Sequence, residues 1–197
     1  MINWANRYKV LRNKNFFSKD NFSIIPIRYK DRYLIMRWRN QQLYHLRQSK
    51  KLTKKDQDDY FLNVIRDQFD EQNPDQILFS FLQKDVCIGY GGLVHISWID
   101  KNAEISFVMN SILEKDFFAL YWKVFLSLIE KVSFKILNLN KIYIYAFDVR
   151  PNLYPVLEIN DFRFEAKLKD HVKVKKQFCD VVIYSKFNYD TKNSISY

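Results

Sequence analysis

The sequence predicts an α+β (α/β) domain on a central mixed, mostly antiparallel sheet of about seven strands. Three observations point there. The runs "ILFSFLQ", "CIGYGGLVHISW" and "NAEISFVMN" follow one another across short polar turns, the pattern of an antiparallel meander. Helical periodicities lie on either side of that meander. The 197 residues are 48% hydrophobic and 17% aromatic, with only three glycines and four prolines, which is enough for one sizeable core.

Each element follows in order. Residues 1–21 read as a polar, basic N-terminal extension docked on a domain that spans 22–188. Residues 22–29 form the first strand, with Pro26 at a sheet edge or bulge. Tyr33, Ile35, Met36 and Trp38 recur at helical spacing over 30–41. Thr53 caps a second helix, with Asp56 in capping-box position, and Tyr60, Phe61, Val64, Ile65 and Phe69 turned inward. The meander strands occupy 77–83, 87–98 and 102–110. A long helix is expected over about 116–137, its polar face lined by Lys123, Ser127, Glu130 and Lys131. Residues 141–147 are a buried, β-branched and aromatic strand, and 152–159 a short helix or turn. Two closing strands over 161–174 and 177–187 precede a C-terminal tail, 189–197.

Composition excludes several classes. No run approaches the ~18 apolar residues of a membrane span, and the start lacks a secretory pattern. Cys87 and Cys179 stand far apart without a CxxC, which predicts no metal site and two reduced thiols in a cytoplasmic protein. The net charge is +10, but the basic residues are scattered, with short clusters at Lys50, Lys51, Lys54 and Lys55 and at Lys173, Lys175 and Lys176. That dispersion argues against nucleic acid and suits a small anionic ligand such as a nucleotide-bearing cofactor.

All three glycines, Gly89, Gly91 and Gly92, fall within one apolar run, where glycine marks a bulge or a close approach. No GK[ST] follows, so the run is no phosphate loop. Together with "IPIRYKDRYLIMRWRN" and "VLEINDFRFEAKLKD", the segment "CIGYGGLVHI…NAEISFVM" resembles the GNAT superfamily of N-acetyltransferases, in the branch with ribosomal-protein and amino-sugar acetyltransferases. The likeness covers about 23–187. It implies the GNAT fold with helices on both sheet faces, acetyl-CoA as cosubstrate, no metal, and direct transfer to a primary amine in a ternary complex. It also implies that the glycine-bearing strand borders the acceptor site, where Gly91 and Gly92 would keep the wall low and Gly89 permit twist; a plain bulge is the alternative.

The same resemblance distributes the roles. Glu104 stands where the histone-acetylating branch has its general base. Strand alternation places it with Ser106 and Val108, opposite Ala103, Ile105, Phe107 and Met109, and desolvation there makes a carboxylate a stronger base. A structural glutamate paired with a cation is the alternative. Backbone groups of Phe107, Val108, Met109 and Asn110 would pair with the pantetheine arm, which requires "AEISFVM" and "KIYIYAF" to splay apart. The usual glycine-rich pyrophosphate loop is replaced by "NSILEKDFFALYW", where Lys115 and a helix start would face the phosphates and Ser111 with Glu114 match a capping box. The family's acidic tyrosine falls at Leu157; Tyr154 is its substitute or a packing residue, and Asn152 recovers part of a cofactor contact. Arg39, Asn40, His45, Arg47, Tyr90 and His95 would face the acceptor, a small-molecule amine taken to be a nucleotide-linked amino sugar for surface polysaccharide. His171 and Asp180, in the closing strands, are within reach of the same site. Protein or peptide N-terminal acetylation, and a non-catalytic acyl-CoA-fold binding module, are the competing functions. A homodimer is compatible with the family.

Overall fold

The computed structural model describes residues 4–174 and 176–189. Lys175 of the second basic cluster, and the tail apart from Tyr189, lie outside the described residues. The strands are β1 (Phe17–Lys19), β2 (Phe22–Pro26), β3 (Ile77–Gln83), β4 (Val86–Ser97), β5 (Asn102–Met109), β6 (Lys141–Phe147), β7 (Arg163–Val174) and β8 (Gln177–Phe187). They form one sheet in the order β1-β2-β3-β4-β5-β6-β8-β7. Every neighbouring pair is antiparallel except β5 and β6, which run parallel.

The expected seven strands are joined by an eighth, β1, drawn from the N-terminal stretch. That stretch also seats Tyr8, fully buried, with its hydroxyl donating to Leu78 O at 2.9 Å and accepting from Leu78 N at 3.0 Å. Trp4 stacks on Phe61 at 5.6 Å and donates to Ile27 O.

Helix α1 is Arg32–Gln41 and buries Ile35 and Trp38. Helix α2 (Lys54–Tyr60) starts on the predicted Thr53–Asp56 capping box. A π-helical stretch, Phe61–Ile65, and α3 (Arg66–Gln68) continue it. Phe61, Ile65 and Phe69 point inward as expected, whereas Val64 is exposed and Tyr60 lies at the surface with its hydroxyl donating to Gln76. Helix α4 is Ser111–Glu130, extended by a π turn over Lys131–Ile136. It begins five residues earlier than its periodicity suggests because the Asn110 side chain caps it, accepting from Ile112 N at 3.1 Å. The predicted Ser111 cap is thereby replaced. Helix α5 is Leu153–Ile159.

The core lies where α4 meets the meander. Phe125 stacks on Phe107 at 4.1 Å and meets Phe81 edge-on at 5.8 Å. Every residue of β3 from Ile77 to Leu82 is buried, so the sheet centre is covered on both faces. Glycine lets the strands around β4 approach closely. A β-carbon on Gly91 would stand 2.1 Å from Ser106 O, and one on Gly92 1.9 Å from Ile77 O.

Candidate active site

The sheet opens at one place. Strands β5 and β6 pair only through Asn102–Lys141, Ala103–Ile142 and Glu104–Tyr143. Beyond that point β5 continues against β4 and β6 against β8, leaving a wedge between them. Asn110 N donates to Ile88 O at 2.8 Å. Antiparallel alternation then turns Glu104, Ser106 and Val108 backbone groups toward β4 and those of Ile105 and Phe107 toward β6. There the Ile105 N–H closes the last pair on Tyr143, and the Ile105 carbonyl and both Phe107 groups face the wedge. A cavity of about 610 Å³ occupies it, with Glu104, Ile105, Ser106 and Phe107 on one wall and Ile144, Tyr145, Ala146 and Phe147 on the other.

Glu104 is buried beside this cavity, 7% exposed. Both its oxygens are engaged. Oε1 accepts from Arg47 Nη2, and Oε2 lies 3.0 Å from His95 Nδ1. Arg47 is held over the Tyr145 ring, its guanidinium carbon 4.1 Å from the centroid. His95 sits at a β4 bulge between Val94 and Ser97, with φ of 49°. Regular alternation would send His95 to the face opposite Glu104; the bulge brings its imidazole back.

A second cluster stands at the start of α4. Arg150, 8% exposed, donates to Glu114 and packs over Phe118. Its Nη1 lies 3.3 Å from Nδ1 of His45 and 3.1 Å from Nε2. Gln42, buried at the end of α1, places Oε1 3.1 Å from His45 Nε2 and donates through Nε2 to Met109 O at 2.8 Å. Burial, and then the Arg150 charge, pushes His45 down to about 3, so the imidazole is neutral. The Glu114 carboxylate expected at the helix start is thus neutralised by an arginine that sequence reasoning did not single out. Arg150 and Gln42 act through residues 36 to 105 positions distant in chain order, and no local pattern announces them.

The other predicted site residues divide. His45, Arg47, His95 and Arg39 line the cavity. Arg39 also donates to Tyr90 OH at 2.6 Å, which places Tyr90 in a smaller cavity of about 270 Å³ that shares Arg39 and Tyr60 with the first. Asn40 instead ties the following loop, accepting from Leu52 N and donating to Leu52 O. Tyr154 is outside the cavity lining: it donates to Asp148 and stacks on Tyr184. Burial and that carboxylate raise its phenol well above the ordinary tyrosine range. Lys115 and Asn152 are exposed, on α4 and just before α5. Val108, Met109 and Asn110 lie at the far end of β5, outside the lining, and Phe107 is within it. His171 and Asp180 lie outside it too; His171 is exposed, with its ring 6.1 Å from that of Tyr145. None of the glycines lines the cavity. They serve the strand contacts, and the Gly91 position faces Phe125 of the core, so the low-wall expectation gives way to close packing.

Strands that part beside a buried carboxylate make room for an extended acyl carrier, which places the chain among the acyltransferases. The profile of the acetyltransferase (GNAT) domain matches residues 24–183, and the chain belongs to that family. It is an acetyl-CoA-dependent N-acetyltransferase. Similar solved structures include the spermidine N-acetyltransferase from Vibrio cholerae, solved with CoA and spermine. That match has 18% identity and a TM-score of 0.73, covering 86% of this chain and 97% of that one. A chimera of the Vibrio cholerae enzyme SpeG and hSSAT matches at 19% identity and a TM-score of 0.73, covering 88% and 99%. At this identity the likeness is one of fold. No curated protein sequence matches the chain.

The wedge fits the cosubstrate's arm. Ile105 and Phe107 offer backbone groups along it, and Trp122, which lines the cavity, buries an indole Nε1–H without an acceptor among the described residues. Acetyl-CoA supplies an acetyl group on a thioester. No helix among the described residues is long and apolar enough to cross a membrane.

Proposed function

We propose that this enzyme transfers acetyl directly to a primary amine carried on an anionic molecule, in the first instance a nucleotide-linked amino sugar, with the Glu104 carboxylate driving removal of the amine's proton. The observation that carries this is the burial of Glu104 at the point where β5 and β6 part. A carboxylate there stands beside the thioester arm and at the wall of the cavity the amine would enter.

Cavity chemistry favours the anionic acceptor. Arg39, Arg47 and Arg150 line it. Arg47 is paired with Glu104 and Arg150 with Glu114, while Arg39, among the described residues, bonds only the neutral Gln48 and Tyr90 and is the guanidinium left for an anion. Guanidinium groups suit phosphate. The adjoining cavity, walled by Ile35, Leu52, Phe61 and Ile65 and containing the buried Gln57, gives a two-part acceptor a second compartment. The similar fold of a spermidine N-acetyltransferase solved with spermine favours a second reading, a polyamine acceptor. A polycation would call for several unpaired carboxylates, and the cavity supplies few.

The test is a free-thiol assay with acetyl-CoA and three acceptors: a UDP-linked amino sugar, spermidine, and a peptide with a free N-terminus. Turnover of the sugar nucleotide is expected, and Glu104→Gln should lower kcat by about 10²–10⁴-fold while acetyl-CoA binding persists. Preference for spermidine would replace the acceptor. Undiminished turnover by Glu104→Gln would remove that carboxylate from the chemistry.

A further inference from the structure

The Glu104 carboxylate is poorly placed to meet an amine itself. It is 7% exposed, Arg47 holds one oxygen and His95 the other. The His95 side chain, in contrast, is 61% exposed and lines the same cavity. An ionised carboxylate only accepts hydrogen bonds, so at 3.0 Å the hydrogen between the two groups resides on Nδ1. That tautomer leaves the Nε2 lone pair free, and Nε2 makes no hydrogen bond among the described residues.

The backbone is arranged for this contact at some expense. His95 has φ of 49°, a left-handed conformation that strains the backbone of a non-glycine residue. Glycine would sit there without strain, and this strand uses glycine three times within the six preceding positions. A histidine held in glycine's conformation, with its ring returned to the face of Glu104, is a local strain with a chemical product: an imidazole oriented by a buried carboxylate.

We propose that His95 is the catalytic residue that takes the proton from the acceptor, with Glu104 and Arg47 as the positioning residues behind it. This deepens the acetyltransferase reading above and rests on it. The amine arrives as R–NH3+. Its first proton moves to His95 Nε2, and the resulting imidazolium faces the Glu104 carboxylate before releasing that proton to water. The free amine forms the C–N bond at the thioester carbonyl carbon as the C–S bond breaks. Its second proton goes to the departing sulfur, and the third stays on the amide. Arg47, anchored on Tyr145, holds the carboxylate turned toward the ring.

His95→Gly tests this directly, because glycine accepts the positive φ and leaves a space the size of the lost ring. The variant should fold, with kcat lower by about 10²–10⁴-fold and KM for acetyl-CoA changed by less than about threefold. Added imidazole should restore turnover saturably in His95→Gly and not in Glu104→Gln. His95→Asn, also tolerant of that φ, should be equally slow at an unchanged thermal midpoint and should not respond to imidazole. The assays use whichever of the UDP-linked amino sugar and spermidine the wild type acetylates. Full activity of His95→Gly with an inactive Glu104→Gln would overturn the proposal and leave Glu104 as the direct base; full activity of both would overturn the base assignment as well. Loss confined to KM, or no response to imidazole, would also overturn it. A readout independent of the acceptor is the ¹⁵N spectrum of the histidine rings. His95 should carry its hydrogen on Nδ1 in the wild type, and a dominant Nε2–H form would contradict the proposal.

Discussion

Tyr154 and His45 show how neighbours decide what a residue can do. Tyr154 donates to Asp148 outside the cavity lining, so Tyr154→Phe should leave kcat within about threefold of wild type, short of the loss a proton-transfer group causes. Losing a partly buried hydrogen bond to a carboxylate should lower stability by about 1–2 kcal/mol, read from urea midpoints. His45 makes the opposite kind of prediction. Its folded value of about 3 lies below the ordinary 6.5, so the unfolded chain takes up a proton that the folded chain refuses as pH falls. The stability involved is complete above the ordinary value and is lost as pH drops toward the folded one, at most about 1.4 kcal/mol per pH unit. Urea midpoints from about pH 7 to about pH 4.5 should therefore fall less steeply in His45→Gln than in wild type. At this scale the sequence exposes Glu104 because strand alternation and a family word coincide on it. It conceals Arg150 and Gln42, whose partners are set only by the tertiary fold, and it conceals the bulge at His95, since nothing local marks a histidine for positive φ.

Among elements, β4 carries the firmest expectation about stability. Gly91→Ala and Gly92→Ala would each drive a β-carbon into a neighbouring strand's carbonyl, at 2.1 Å from Ser106 O and 1.9 Å from Ile77 O. Strand backbones cannot retreat as a flexible side chain can, so each should destabilise by several kcal/mol, about the range of severe core overpacking or more. Any folded fraction should keep its Michaelis constants, since neither glycine lines the cavity. A rise in KM for the acceptor at unchanged thermal midpoint would return these glycines to the acceptor site. The strands of the meander are readable to within a residue or so, because apolar runs and tight turns are local signals. Strand β1 is not, being three residues long with two of them polar, and it exists because β2 offers it an edge. The start of α4 is missed for a similar reason: the Asn110 side chain, a local hydrogen bond rather than a periodicity, sets it.

For the whole molecule, the fold turns on a sheet that is continuous in order and incomplete in pairing. Eight strands close around one core, yet the single parallel junction, β5 to β6, holds for three residue pairs and then parts. The family resemblance makes that parting an expectation, while its walls, arginines and adjoining cavity come only from the packed structure. The claim on which everything else depends is that acetyl-CoA lies in this wedge, bonded along β5. Residue-resolved amide hydrogen exchange, with and without acetyl-CoA, measures it. The Phe107 amide should become protected on titration, while those of Ser106 and Val108, directed toward β4, and of Ile105, bonded to Tyr143 in the last β5–β6 pair, change little. Saturable binding that leaves Phe107 exchanging as before would contradict it.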